Sequence, residues 1–382
     1  MKVAFLTPVF WPYKGGIGSV AANEVRGLKA EGCFVDVFTP HYQTTWLKEE
    51  EWLGSKIFRL QTKWKIGNAA GLNIRPDDLE NYDVVHLHYP FIGGVKSVLK
   101  WKKQSHKPLV VTYHMDLVAN GWRGLLFKIY SWIVLPKLVA VADKIIFSSL
   151  DYGQHSFLKK YLKKQPAKFL AIPFGVEIKN AGLSKIEAKK ELDWGGVGKV
   201  VLFVGALDKA HYFKGLDVLF ASLPKLGQFK EKIKVVIVGD GELKNYYQKK
   251  ANQMGVADKI NFAGKISDED LIKYYLASDV LVLPSIGSSE AYGVVLIEAE
   301  SQGLPVIASN LPGVREQVGE DRGKLFKIKD SEDLAKQILS ILVDINLAEK
   351  IGTAGREWVK NNRSLKQESE KLLAVYKSML QR

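Results

Sequence analysis

Sulfur chemistry is nearly absent: Cys33 is the only cysteine in 382 residues. No internal disulfide can form, and cysteine-based zinc and Cys-x-x-Cys redox motifs are excluded. This suits a reducing cytoplasm. Long apolar runs are also missing. Nowhere do eighteen apolar residues stand in succession, so a membrane-spanning helix is not expected. Pro8 and Pro12 interrupt the apolar start and no small-residue cleavage site follows, so Val3–Thr7 reads as a first strand and not as a signal peptide. No Asp-x-Asp pair closes a strand, and no reader motif or aromatic-rich basic sheet suggests nucleic acid as a partner.

Acidic residues are scarce in one region only. Residues 1–172 hold 24 Lys and Arg against 13 Asp and Glu, a net +11. Residues 173–362 hold 26 of each, and residues 363–382 add +3. One part of the chain is strongly basic and the other neutral, which points to a polyanionic partner, either an anionic membrane or nucleic acid, and only the absence of a reader motif counts against the second.

What is present is a repeated alternation of short apolar strands and helical stretches. In the first half the strands are Val3–Thr7, Phe34–Thr39, Lys56–Gln61, Val84–His88, Leu109–Tyr113, Ile145–Ser148 and Lys168–Ile172. In the second they are Val200–Val204, Lys234–Val238, Ile260–Ala263, Val280–Leu283 and Val306–Ala308. This pattern predicts an α/β protein with two parallel sheets, each covered by helices on both faces. The Pro173-Phe174-Gly175-Val176 turn and the polar stretch to Gly198 read as the crossing between two doubly wound domains. The expected division is residues 1–172 plus 363–382 for the first and 173–362 for the second.

The densest chemistry lies between Ser285 and Gly319. The buried-type strand Val280–Leu283 ends in small polar residues. Glu290, the Tyr292-Gly293 step and a helix from Val294 follow, and Gly303 closes that helix. A strand, a Gly-containing loop and a helix N-terminus form a site for phosphate, because free N–H groups and the helix dipole point at it. A carboxylate beside phosphate repels it, so Glu290 and Glu298 are suited to accept hydrogen bonds from neutral hydroxyls of a ribose or a sugar.

Other stretches carry weaker signals. Gly16-x-Gly18-x-x-Ala21, with Asp36 twenty residues on, mimics a dinucleotide fingerprint, but Pro8 to Gly15 intervene after the strand and Asp36 lies inside its own strand. His86 and His88 share one face of a strand end; the readings are sheet-end packing, acceptor-pocket lining and, last, a metal pair. The tracts Val95–Lys103 and Phe157–Lys164 are basic amphipathic helix candidates suited to a membrane interface. Between them, Trp122–Val141 is apolar but broken by Pro136 and Lys137, and is expected in the core.

The string from Val280 through Glu290, Tyr292-Gly293, Glu298, Gly303-Leu-Pro305 and Pro312-Gly313 resembles the Glu-x7-Glu signature of retaining glycosyltransferases of family 4, which have the GT-B fold. That resemblance implies two Rossmann-like domains facing across a cleft, with the C-terminal helix (Leu365 to Leu380) returning to the first domain. It implies transfer of a hexose from a nucleotide sugar, a UDP- or GDP-sugar, with retention at the anomeric carbon. No further cofactor and no metal are expected. In the family pattern His114 lies near the transferred sugar, Lys214 neutralises the donor diphosphate, and Glu290 is the third catalytic position. Gly15 and Gly16 resemble the donor-phosphate loop. Gly239, Lys265 and Ile266 match positions around the nucleotide, and Tyr292, Gly293, Val294 and Glu298 complete the donor site. The family arginine is missing, since Ala206 stands in its place; Lys209 is the candidate substitute. The expected acceptor is a lipid-linked sugar or glycan, met at the cytoplasmic side of an anionic membrane. The alternatives are a soluble acceptor or a sugar-nucleotide epimerase.

Overall fold

The computed structural model describes residues 1–13, 15–62, 65–66, 69–72 and 74–381. The chain divides into two compact units, Met1–Gly175 with Leu365–Arg382, and Val176–Ser364.

Unit one is built on an eight-stranded sheet. Its strands are β1 (Lys2–Leu6), β2 (Phe34–Pro40), β3 (Glu49–Trp52), β4 (Ser55–Leu60), β7 (Val84–Tyr89), β8 (Leu109–Tyr113), β9 (Lys144–Phe147) and β10 (Phe169–Ala171). A two-stranded ribbon, β5 (Lys65–Ile66) and β6 (Ala69–Ala70), stands apart. The order is β10-β9-β8-β7-β1-β2-β4-β3, and every pair is parallel except β3 with β4. The strands are Val- and Ile-rich because both faces are covered, so side chains on either side must be apolar. The helices are α1 (Gly16–Ala30), α2 (Val95–Gln104), α3 (Gly121–Val141), α4 (Leu150–His155) and α5 (Lys159–Lys164).

Unit two has a six-stranded, all-parallel sheet: β11 (Lys199–Val204), β12 (Ile233–Val238), β13 (Ile260–Gly264), β14 (Val280–Leu283), β15 (Val306–Ser309) and β16 (Gly323–Phe326). The order is β13-β12-β11-β14-β15-β16. Helices α6 (Lys185–Glu191), α7 (Leu216–Ser222), α8 (Lys244–Gln253), α9 (Asp268–Ala277), α10 (Val294–Ser301), α11 (Ser331–Val343) and α12 (Ile345–Asn362) cover both faces. Two cores result. Val201, Phe203, Ile237 and Val282 face α7 and α11, and Leu202, Val236, Leu281 and Val306 face α9 and α10.

The last helix, α13 (Leu365–Leu380), belongs to unit one. Leu372 and Tyr376 enter the same core as Val25 and Leu28 of α1. The packing is close: a Cβ on Gly27 would fall 1.8 Å from Ser369 Oγ. The strands and this returning helix match the sequence reading to within a residue or two at most ends.

Two expectations need correction. The tract Trp122–Val141 is one continuous helix with Pro136 inside it, and most of it is not core. Only Ser131, Leu135, Leu138 and Val139 are buried there, because the unit covers a single face of the helix. This helix is also long and apolar enough, by length and composition, to cross a membrane. Conversely, α2 has no free apolar face. Val95, Val98 and Trp101 all go into the core, and Lys102 is tied to Asp143 at 2.8 Å. The sequence reading also missed β3 and β16.

In an open parallel sheet, crevices form at the carboxyl ends of the strands where the strand order reverses. The reversals fall between β1 and β7 in unit one and between β11 and β14 in unit two.

Candidate active site

In unit two, the loops after β11 and β14 carry the predicted residues to the reversal. The first loop ends in a short 3-10 turn, Lys209–Lys214, capped by the Asp208 carboxylate. Ile286 N–H donates to Phe213 C=O at 2.7 Å, so the backbone itself joins the two loops. Gly215 makes the joint possible: its φ is 70°, and a Cβ there would lie 2.0 Å from Pro284 O. Lys214 is thereby delivered to Glu290. Its Nζ donates to Glu290 Oε2 at 2.7 Å, and Ser285 Oγ donates to the same oxygen at 3.0 Å. Both members of the ion pair are largely buried. An ammonium has three donors, so Lys214 keeps hydrogen-bonding capacity after serving Glu290.

Eight residues on, Glu298 is the fifth residue of α10. Its Oε2 accepts from Tyr275 OH of α9 at 2.8 Å. Desolvation pushes its carboxyl above the usual carboxylate range, while the Tyr275 hydrogen bond and the Lys214 charge pull it down. Lys214 therefore acts electrostatically on both glutamates of the pair. Between them, Tyr292 is buried and Gly293 adopts φ 82° as the N-cap of α10, which begins at Val294. A side chain at Gly293 would press on Leu283 and Leu296 at about 3 Å. No side chain caps this helix, and a helix start without one leaves first-turn N–H groups for a ligand or water.

The turns after β11, β12 and β13 are stitched together. Gly205 N–H donates to Val238 O, Leu207 N–H to Asp240 O, and Gly239 N–H to Gly264 O at 2.8 Å. This row sets Gly239 beside the strand end that precedes Lys265 and Ile266. Lys265 is exposed, and Ile266 is partly buried against the core. Lys209 pairs with Glu242 at 3.4 Å, with both side chains mostly in solvent.

In unit one, β1 leads through a long loop to Gly15 and Gly16 at the start of α1. Gly15 is extended, no side chain caps the helix, and the space beside Gly16 is open. Asp36, the rival motif's acid, is committed elsewhere. It accepts from Lys56 N–H at 2.9 Å and from Tyr82 OH at 2.8 Å.

The strand ends of β7 and β8 hold a buried row of imidazoles. His86 uses both ring nitrogens, on Tyr376 OH (2.6 Å) and Thr112 Oγ1 (2.7 Å). His88 Nδ1 lies 2.9 Å from His114 Nε2, and His114 stacks on Phe174. Burial drives the pKa of His86 and of His114 down to about 3 and that of His88 well below its usual value, so all three are neutral near pH 7. Behind them stands Glu24 of α1, whose Oε2 is 3.6 Å from His88 Nε2. Glu24, His86 and His88 offer ligand atoms within 4.8 Å of one another. Both nitrogens of His86 are already bonded, however, which fits the packing reading better than a metal. Asp116 accepts from Tyr113 OH and from Phe157 N–H (3.0 Å), which fixes the loop carrying His114.

Glu24 and its buried neighbour Glu368 were not singled out in the sequence. Both sit on the apolar faces of their helices, Glu24 among Val20, Ala21, Val25 and Leu28, and Glu368 one turn before Leu372. A carboxylate inside an apolar stripe was the available signal. Burial raises both, Glu368 to about 8. Glu368 also accepts from Gly175 N–H at 2.8 Å.

Known structures share this architecture over the whole chain. Sucrose-phosphate synthase from Thermosynechococcus elongatus matches with a TM-score of 0.83 at 22% identity, covering 100% of this chain and 99% of that one. Anabaena HepE, solved in complex with UDP, matches with a TM-score of 0.75 at 17% identity, covering 99% and 100%. The fold is that of the GT-B glycosyltransferases. The chain belongs to glycosyltransferase family 4: the models for "Glycosyltransferase Family 4" and "Glycosyl transferases group 1" match residues 14–178 and 184–358. Among curated relatives, the phosphatidyl-myo-inositol mannosyltransferase of Mycobacterium leprae is 25% identical over 371 residues, 94% of this chain and 92% of that protein.

Proposed function

We propose that the protein transfers a hexose from a nucleotide sugar to an acceptor hydroxyl with retention at the anomeric carbon. The observation that carries this reading is the Lys214–Glu290 pair held where the strand order of unit two reverses. In this reading Glu298 accepts hydrogen bonds from the ribose hydroxyls. Gly239, Lys265 and Ile266 lie along the nucleotide, and Glu290 contacts the transferred sugar. Lys214 and the N-terminus of α10, from Tyr292 to Val294, neutralise the diphosphate, with Lys209 as an auxiliary cation. The family resemblance assigns Gly15 and Gly16, at the start of α1, to the donor phosphates. His114, neutral at working pH, hydrogen-bonds a hydroxyl of the sugar.

Retention follows without a protein nucleophile. The bond from the anomeric carbon to the diphosphate oxygen breaks, and the acceptor oxygen bonds to the same face. The acceptor proton passes to the departing phosphate oxygen. The developing negative charge on the leaving group is met by the Lys214 cation, which makes the reaction independent of a divalent metal. The M. leprae relative's name supports mannose as the hexose and a lipid as the acceptor. The net +11 of residues 1–172 supports work at an anionic membrane surface on the cytoplasmic side.

The test is the product. Incubation with α-linked nucleotide sugars and a lipid-linked acceptor, followed by NMR of the new linkage, should give an α-glycoside with EDTA present or absent. A β-glycoside excludes retention, and loss of turnover with EDTA excludes metal independence.

A further inference from the structure

Helix α3 carries six large apolar side chains in solvent. Trp122 is 70% exposed and Trp132 75%, and Leu125, Leu126, Ile129 and Ile133 are each about half exposed or more. At 100° per residue these six fall within an arc of about 120°. The buried residues Ser131, Leu135, Leu138 and Val139 lie outside that arc, on the adjoining face. A contiguous apolar face of this size on a soluble domain marks a surface that something covers.

The charges around it select the occupant. Arg123 and Lys137 flank the arc on one side and Lys128 on the other, and no Asp or Glu occurs from Leu117 to Ala142. Lys128 and Lys160 line a shallow pocket together with Trp132, Phe157 and Tyr161, beside the same face. A second copy of this chain would bring cations against cations. An anionic bilayer offers acyl chains to the stripe and phosphates to its rim.

The topology selects the mode. Although α3 is long and apolar enough to span, it connects β8 to β9, which are adjacent parallel strands of one sheet. Both ends are therefore held on the same body, and one face is packed against it. We propose that α3 docks unit one onto anionic membranes by lying in the interfacial plane, with Trp122, Leu125, Leu126, Ile129, Trp132 and Ile133 among the upper acyl chains. The inference rests on the membrane reading proposed above and gives it a defined face. It moves the contact away from α2, whose apolar residues are spent on the core.

Flotation of the full-length protein with vesicles tests it, using phosphatidylcholine alone and phosphatidylcholine with about one-third phosphatidylglycerol. The parent should float with the anionic vesicles only. Lipids brominated in the acyl chain should quench its tryptophan fluorescence. The double variant Trp122→Ser, Trp132→Ser should lose at least about tenfold in partitioning, lose the bromine quenching, and keep its circular dichroism and its affinity for UDP and GDP. If the variant floats like the parent, α3 is not the docking face although the membrane reading stands. If the parent floats with neither vesicle, the membrane reading fails as well. If sedimentation shows a parent dimer that the double variant abolishes, with no vesicle binding, the face covers a second copy and the proposal is overturned.

Discussion

Lys214 Nζ donates to Glu290 Oε2 at 2.7 Å, which makes the two residues one unit and not two independent groups. Removing either leaves the other as a partly buried, unpaired charge. Glu290→Gln keeps the shape and an acceptor for Ser285 Oγ. It should lower turnover or affinity for the sugar nucleotide while binding of the bare nucleoside diphosphate holds. Equal losses for both ligands would assign Glu290 a different role. Lys214→Ala should depress kcat more than it raises KM, since its charge matters most as the phosphate departs. A rise in KM at unchanged kcat would count against that.

Glu298→Ala should weaken nucleoside diphosphate binding by roughly 2–3 kcal/mol, the worth of charge-assisted hydrogen bonds to the ribose. Tyr275→Phe provides a control, because it removes the hydroxyl that orients Glu298 at 2.8 Å without touching the carboxylate. Its effect on nucleotide affinity should be in the same direction and smaller. Calorimetric titration with UDP and GDP reads both, and full affinity in Glu298→Ala would remove it from the ribose.

His88 positions His114 through the 2.9 Å contact between their ring nitrogens. One of the two nitrogens must donate and the other accept, so the tautomer of His88 dictates that of His114. His88→Phe breaks this link and should cost roughly tenfold in kcat, about 1.4 kcal/mol. Nucleoside diphosphate binding should be unchanged. Parent-like turnover would show that His114 needs no such positioning.

Buried groups of unit one make its stability depend on pH with opposite signs. Glu368, raised to about 8 by burial, binds its proton more tightly folded than unfolded, so its contribution is full at low pH and is lost as pH rises toward 8. The neutral imidazoles act the other way. His86 and His114 hold pKa values near 3, so protonation of the unfolded chain below about pH 6.5 withdraws stability as pH falls. Glu368→Gln keeps an acceptor for Gly175 N–H and removes only the first dependence. Relative to the parent, its melting temperature should gain more at pH 8.5 than at pH 5.5, by a few degrees. A pH-independent difference would mean that Glu368 titrates normally.

The parts of the fold that could be read from sequence were those with a strong local pattern. Val280–Leu283 and Val200–Val204 are continuous apolar runs because both sheet faces are covered, and their shortness and Val content mark them as strands. β3, Glu49-Glu-Glu-Trp52, could not be read, since an antiparallel edge strand in solvent needs no apolar pattern. Helix α3 defeats the sequence pattern for a related reason. Apolar composition signals burial in a core, and here the apolar face is outside; Pro136 sits on the exposed side of a helix that continues through it. Around the candidate site, residues fixed by short-range motifs, such as Glu290 and Glu298, were visible. The Glu24–His88–His114 row joins three distant segments, and only folding brings them into one line.

Ligand-dependent melting of the whole protein against UDP-mannose, GDP-mannose, UDP-glucose and other UDP- and GDP-sugars tests the central claim, a nucleotide-sugar site built on Lys214, Glu290 and Glu298. At about a hundredfold over Kd, a true donor adds roughly 2.7 kcal/mol, which should raise the melting temperature by a few degrees. Such a shift is expected for at least one sugar nucleotide in the parent, nearly lost in Glu298→Ala and only modestly reduced in Lys214→Ala, whose charge acts mainly in the transition state. No shift with any member of the panel, or an undiminished shift in Glu298→Ala, would contradict the claim.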